Sequence, residues 1–310
     1  MNAIIDGSVV VSILAATLRI ATPLLFAAMG ELITERGGIW NMGVEGTMLT
    51  AAFIAYLVVT LTGLPWLALG AAILAGALVG VLTGFMTATL RVDHFVTGLA
   101  INLLASGLTL YFFRTYVGRA AEPTFAGFTY LQIPFVSSLP VVGPILFSQH
   151  LLTYFAFALV PVVWFFLHRT RYGLELRCLG ENPLALETKG LRVVPRQYLA
   201  IVGGSALIGL GGGFLMLALS DRFLADVTGG RGWLALVAIV AGNWRPAGVT
   251  LAVLVFAFLQ ALAIHTQVVG VPIPYQFFLA LPYLASIVLL MGFRLRSGQP
   301  SRLGIPYFRN

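Results

Sequence analysis

Residues 168–196, HRTRYGLELRCLGENPLALETKGLRVVPR, hold nine charged side chains, six of them Arg or Lys, between two oily segments. The whole 310-residue chain has only 18 Lys and Arg and 11 Asp and Glu. A basic island between apolar spans marks a cytoplasmic loop of a membrane protein. Inside it, Glu181-Asn182-Pro183-Leu184-Ala185-Leu186-Glu187, running on to Lys189 and Gly190, predicts a short helix over 181–190. Asn182 can cap it and Pro183 takes its first position. Such a helix, exposed at the membrane face, is a docking surface for a soluble partner.

Working outward, composition decides the solvent. The chain is 59% hydrophobic and 9% charged, against about 25% charged in an ordinary soluble domain. So few polar groups cannot cover a surface, and lipid takes the place of water. The 34 glycines suit close helix approach in a bilayer. The single cysteine, Cys178, excludes an intrachain disulfide. The net charge of +7 concerns orientation rather than nucleic acid, because the basic residues collect in the loop and the C-terminal tail. The N-terminal MNAIIDGSVVVSILAATLRI has neither a basic n-region nor a small-residue cleavage site, so no cleavable signal is expected.

The fold class is an all-α polytopic membrane protein, of about 8–10 transmembrane helices by span length. Spans are predicted over 8–29 (interrupted by Arg19 and Pro23), 44–61, 64–90, 95–113, 151–167, 198–219, 247–265 and 275–293. The run 233–241 is short for a crossing of about 20 residues. It is half of a broken helix, or part of a longer one starting near Gly229. Residues 1–310 then form one transmembrane domain: an N-terminal half 1–167, the loop 168–196, a C-terminal half 197–293 and a tail 294–310. With loop and tail inside, alternation puts 13 of the 18 basic residues on the cytoplasmic side, including Arg36, Arg91 and Arg245. The N-terminus then lies outside.

Gly37-Gly38-Ile39-Trp40-Asn41-Met42-Gly43 and Gly229-Gly230-Arg231-Gly232-Trp233 each open an apolar run followed by a bend, a long helix, a polar break and another helix. An inverted repeat with broken or re-entrant segments is a transporter architecture. Two Gly-rich hydrophobic stretches also look alike without any repeat.

Few residues stand out as functional. In Asn41-Met42-Gly43-Val44-Glu45-Gly46 a carboxylate sits between glycines at the mouth of a span, so it must face protein or water. Glu45 lies near a translocation path, or complements the dipole of its own first turn; the structural role is favoured. Asn102, with Thr97 below it, is a polar pair on an apolar span; it hydrogen-bonds a solute or, the commoner case, the neighbouring helix. Asp93-His94 reads as a solvated helix start. Arg19 meets Glu31 or Glu35, or snorkels to the surface. Trp233 and Gln260 complete the candidate pathway, Gln260 with His265, Thr266 and Gln267 at a span end. Phe112, Phe113, Tyr116, Phe125, Phe128, Tyr130 and Phe135 crowd the region 112–135, as aromatics do at a membrane boundary; this is also a surface for an external delivery protein.

No G-x-x-x-x-G-K-[ST] pattern occurs, the sole lysine is Lys189, and the four histidines are scattered, so neither a nucleotide site nor a metal site is expected. The predicted span interiors carry almost no carboxylate, against the habit of ion-coupled carriers. Energy then comes from a partner chain.

The chain resembles the integral membrane subunits of ATP-binding-cassette importers for branched-chain amino acids, ribose-type sugars and nucleosides. It is most similar to the nucleoside-type permeases that work with a basic-membrane-protein receptor. The likeness is carried by Glu35-Arg36-Gly37-Gly38-Ile39-Trp40-Asn41-Met42-Gly43-Val44-Glu45-Gly46, Gly98-Leu99-Ala100-Ile101-Asn102, Tyr172-Gly173-Leu174-Glu175-Leu176-Arg177-Cys178-Leu179-Gly180-Glu181-Asn182-Pro183 and Gly230-Arg231-Gly232-Trp233-Leu234-Ala235-Leu236. Leu281-Pro282-Tyr283 is similar to the family's last span. Trp40, Thr47 and Cys178 stand where a smaller residue, a glutamine and an alanine are expected, which bears on substrate detail. The resemblance implies a path between two permease subunits, a different second permease, and an extracytoplasmic binding protein. It also implies a cytoplasmic ATPase, with two fused cassettes, that holds the ATP and Mg; this chain binds no cofactor of its own. It makes 181–190 the coupling helix and the bacterial plasma membrane the location. Nucleosides lead as solute, ahead of riboflavin-like molecules, pentoses and amino acids. An ion-driven carrier working alone is the competing class.

Overall fold

In lipid, a long apolar run satisfies its backbone polar groups by becoming a helix. The computed structural model, which describes residues 7–117, 125–132, 141–220, 222–269, 275–292 and 298–308, does this along nearly its whole length. The helices are α1 (Gly7–Arg36), α2 (Val44–Thr62), α3 (Pro65–Gly84), α4 (His94–Phe112), α5 (Val142–Leu146), α6 (Leu151–Arg169), α7 (Arg171–Glu181), α8 (Pro183–Glu187), α9 (Val193–Leu219), α10 (Arg231–Ala241), α11 (Pro246–Val269) and α12 (Tyr275–Gly292). Among the described residues the one strand pairing is antiparallel, β1 (Leu131–Gln132) with β2 (Ser148–Gln149). Seven helices, α1 to α4, α6, α9 and α11, are long and apolar enough to cross a membrane. α12 adds a further apolar helix of 18 residues. This is a multi-pass membrane protein. Arg119, Phe135, Arg294, Arg296 and Arg309 lie outside the described residues, as does part of the expected tail.

α9 forms the centre, packed by α1, α2 and α3. Glycine lets α3 and α9 meet backbone to backbone: a Cβ at Gly209 would collide with the Ala72 carbonyl, and one at Gly76 with the Ser205 carbonyl. Without a hydrophobic drive between helices in lipid, such close contact is what holds them.

Three expectations are corrected. First, α1 runs unbroken through Arg19 and Pro23 to Arg36, seven residues past the predicted end. Arg19 turns to Tyr130 instead of Glu31 or Glu35: Nη1 donates to the hydroxyl at 3.1 Å and the guanidinium lies 5.5 Å from the ring centre. Glu31 and Glu35 are consequently inside a membrane helix and fully buried, so the span interiors do carry carboxylates. Second, 168–196 is mostly helix, because α6 extends to Arg169, α7 fills the middle and α9 starts at Val193. Third, the single helix expected over 181–190 is split. Glu181 ends α7, Asn182 is extended (φ −153°, ψ 88°), and α8 covers only Pro183–Glu187. Proline bars its predecessor from the helical region, so Pro183 starts one helix by ending another. Asn182 caps it as anticipated, its Oδ1 accepting from Ala185 N at 3.3 Å.

Arg36, Arg91 and Arg302, three of the basic residues expected to share a side, lie against the same group of segments at one end of the bundle. Arg36 Nη2 donates to Trp244 O at 2.7 Å, Arg91 lies 4.9 Å from the Phe308 ring centre, and Arg302 N donates to Gly180 O at 2.8 Å.

Candidate functional site

Two chain segments enter the bundle from opposite ends and meet inside it. The first is 37–43, between α1 and α2. Trp40 N donates to His94 Nδ1 (3.1 Å) and Asn41 N to Glu31 Oε1 (3.1 Å). Glu31 stands five residues before the end of α1, about 8 Å back along its axis. The segment therefore climbs beside α1 before α2 begins. Asn102 of α4 holds its upper end: Oδ1 accepts from Gly46 N at 2.7 Å and Nδ2 donates to Met42 O at 2.9 Å.

The second segment follows α9 at the far end. Phe223 buries among Phe53, Tyr56 and Phe113. The chain then turns through Gly229 and Gly230, with φ of 52° and 79°, and α10 starts inside the protein. Its 11 residues extend about 16 Å, roughly half a bilayer. They finish beside Trp244, whose indole N–H donates to Glu35 Oε2. Of the two readings left open for this run, a half-helix or part of a longer helix from near Gly229, the structure gives a short helix of 11 residues that starts at Arg231.

Glu45 joins the two segments. Oε1 accepts from Gly230 N at 2.9 Å and Oε2 from Gly232 N at 2.6 Å. Gly232 has to be glycine, because a Cβ there would sit 2.6 Å from Glu45 N and Cα. The first N–H groups of a helix lack internal partners and carry the positive end of its dipole. Glu45 supplies the anion they call for, on α10 rather than on its own first turn. Arg231 lies alongside, Nη1 donating to Thr228 O (3.0 Å) and Val227 O (3.3 Å).

Two cavities border the chain segments that meet here. One, of about 810 Å³, runs between α2, α3 and α4 from Thr50 and Ile101 to Leu61 and Phe112. The other, of about 370 Å³, runs from Met42 and Trp233 to Trp244 and Leu303 at the basic end. Ile101 touches the position a Gly43 side chain would take, and Asn102 grips Met42. Met42 to Gly46 is therefore a layer between the two spaces.

Of the residues singled out from sequence, Asn41, Glu45, Asn102 and Trp233 come together here. Thr97 does not take part: its hydroxyl donates to Asp93 O at 2.8 Å within the first turn of α4. Asp93 stands at the expected helix start and caps it, accepting from Val96 N at 3.0 Å, but the pair is not solvated as expected, because His94 is buried against Trp40 N. Gln260 sits apart on α11, half-buried, its Oε1 enclosed without a hydrogen-bond partner. His94 was missed as a clamp on Trp40; nothing local sets it apart from an ordinary helix-start residue. Among the described residues no three His, Cys, Asp or Glu side chains converge on a metal position.

A second feature lies at the basic end. Pro183 and Leu186 of α8 are buried, while Leu184 is 43% exposed, with Asn182, Thr188, Lys189 and Gly190 around it. Residues 298–308 strap α8 to the rest. Gly298 N donates to Asn243 Oδ1, Ser301 to Glu181 Oε2, Gly304 N to Gly38 O at 3.1 Å, and the Tyr307 hydroxyl to Glu187 Oε2. The strap thus touches both α8 and the loop that carries Asn41.

Residues 13–291 match the family described as branched-chain amino acid transport system / permease component. The chain belongs to this permease family. It is 36% identical to the guanosine ABC transporter permease protein NupQ of Bacillus subtilis (strain 168), over 96% of both chains. It is 33% identical to the nucleoside ABC transporter permease protein NupC of Lactococcus lactis subsp. cremoris (strain MG1363), over 96% of this chain and 97% of that one. A putative glucose ABC transporter permease protein, TsgC13 of Haloferax volcanii, is 37% identical over 82% of this chain and 78% of its own. No solved structure gives a significant match. This family member is a transport subunit rather than an enzyme, and ABC permeases work with an ATPase and a binding protein.

Proposed function

We propose that this permease imports a nucleoside or a closely related small polar solute, driven by ATP hydrolysed with Mg on a cytoplasmic ATPase that docks on α8. The observation that carries the docking is Leu184: a large apolar side chain held out on a short, capped, strapped helix at the basic end. Its surroundings, 181–190, are the coupling surface. The basic end faces the cytoplasm of a bacterial cell, the external receptor meets the opposite end, and a second, different permease completes the path.

The solute reading is supported by NupQ and NupC, whose names give guanosine and nucleosides; TsgC13, named for glucose, supports a sugar as the runner-up. Asn41, Glu45, Asn102 and Trp233 form the layer the solute must pass. The inverted repeat is supported by two segments that enter from opposite ends and meet at Glu45. An ion-driven mechanism regains some standing from buried Glu31 and Glu35, although Glu31 Oε1 is taken by Asn41 N and Glu35 by Trp244.

The test substitutes Leu184→Asp in the assembled transporter. Glu181 is less suitable for charge reversal because Ser301 leans on it. ATP-driven nucleoside uptake in proteoliposomes should be lost while the permease still inserts and melts normally. Uptake at the unmodified rate would refute docking through α8.

A further inference from the structure

We propose that Glu45 is a built-in anion that occupies the α10 N-terminus and so restricts this permease to uncharged polar solutes. The proposal rests on the permease reading above and narrows its substrate class.

The starting point is the electrostatics of a broken helix. An N-terminus that ends inside a membrane protein offers unpaired N–H groups and a partial positive charge, and in transporters built this way an anionic group of the solute takes the seat. Here the seat is filled. Both Glu45 oxygens are spent, on Gly230 N and Gly232 N. The neighbouring donors are closed by neutral amides: Gly43 N by Asn41 Oδ1 at 3.1 Å and Gly46 N by Asn102 Oδ1 at 2.7 Å. The adjacent cation, Arg231, gives Nη1 to two carbonyls of its own loop and offsets the charge of Glu45. Tyr283 faces the same turn, its hydroxyl donating to Gly229 O at 3.0 Å. Asp226, at the start of that turn, is exposed.

The layer between the two cavities is thereby close to electrically neutral. A solute carrying a carboxylate or phosphate would have to expel Glu45 from its two donors into a medium of low dielectric, where an unpaired charge is costly. A sugar or nucleoside, bonding through hydroxyls and ring edges, displaces nothing. Removing Glu45 would reverse the preference, leaving Arg231 and two bare N–H groups at one point.

The experiment is chemical rescue of the full-length purified permease, read by thermal melting in detergent. Glu45→Ala should melt several degrees below the unmodified protein. Sodium formate should restore part of the loss, L-leucine should stabilise the variant through its carboxylate, and formamide or sodium chloride should do neither. The unmodified protein should respond to none of the four. If Glu45→Ala does not fold, Glu45→Gln, which keeps the size and drops the charge, carries the test: it should melt lower than the unmodified protein. Formate acting equally on both proteins, or having no effect on Glu45→Ala, would overturn the proposal, as would a Gln variant as stable as the original. No ATPase enters these readouts, so their failure leaves the importer reading standing, and failure of that reading would show separately in the uptake assay.

Discussion

At the residue scale, Asn102 shows how one side chain decides the position of a loop. It serves a backbone donor on Gly46 and a backbone acceptor on Met42 at once, so Asn102→Ala orphans two polar groups in a half-buried place. Each costs about 1–3 kcal/mol, and the thermal midpoint of the variant should fall accordingly. Thr97→Val is the contrast. Its hydroxyl serves only the Asp93 carbonyl, which Thr97 N also serves, so no polar group is orphaned and a smaller fall in the thermal midpoint than for Asn102→Ala is expected, with uptake preserved. Equal effects from the two would contradict the placement of Asn102. Both residues were candidates by the same signal, a polar group on an apolar span. That signal cannot tell a clamp from a helix-internal bond, because the partner of Asn102 lies 60 residues away in the chain. Glu45 repeats the lesson with a partner 185 residues away: its Gly-flanked setting drew attention, and only the fold could supply Gly230.

At the element scale, α8 and the 298–308 strap act together. Asn182-Pro183 made the helix start legible from sequence, since proline rules on its own position and the one before. The helix end was misplaced because nothing in Thr188-Lys189-Gly190 forbids helix until Gly190, which takes φ 74°. The strap was not legible at all, being held by scattered single bonds without periodicity. It makes a clear prediction. A chain ended after residue 297 loses the contacts to Glu181, Glu187 and Gly38. It should still insert, yet its ATP-driven uptake should fall by about tenfold, the effect of misplacing a docking group worth 1–2 kcal/mol at an interface. Tyr307→Phe alone, which removes the bond to Glu187, should show a smaller loss in the same direction. Unchanged uptake by the shortened chain would confine the strap to a passive role.

At the scale of the whole molecule, composition and charge placement were enough for a multi-pass bundle, because a chain with so few charges has no alternative to lipid. They were also enough to group Arg36, Arg91 and Arg302 at one end. The interruption expected at Pro23 and Arg19 is absent because a membrane helix tolerates such residues once neighbours satisfy them, as Tyr130 does for Arg19. The end of α1 was misjudged because Glu31, Glu35 and Arg36 read as the polar start of a loop, whereas Asn41 N and the Trp244 indole serve the two carboxylates inside the bundle. The consequence is two buried carboxylates that sequence had assigned to a loop, and they keep an ion-driven mechanism worth excluding by measurement.

The most direct measurement is solute flux in proteoliposomes, with the permease either alone or joined by its second permease, ATPase and receptor. ATP-dependent, vanadate-sensitive uptake by the assembly, and no uptake by this chain alone under an imposed proton or sodium gradient, is the predicted result. Gradient-driven accumulation by the isolated permease, abolished by a protonophore and indifferent to vanadate, would contradict it.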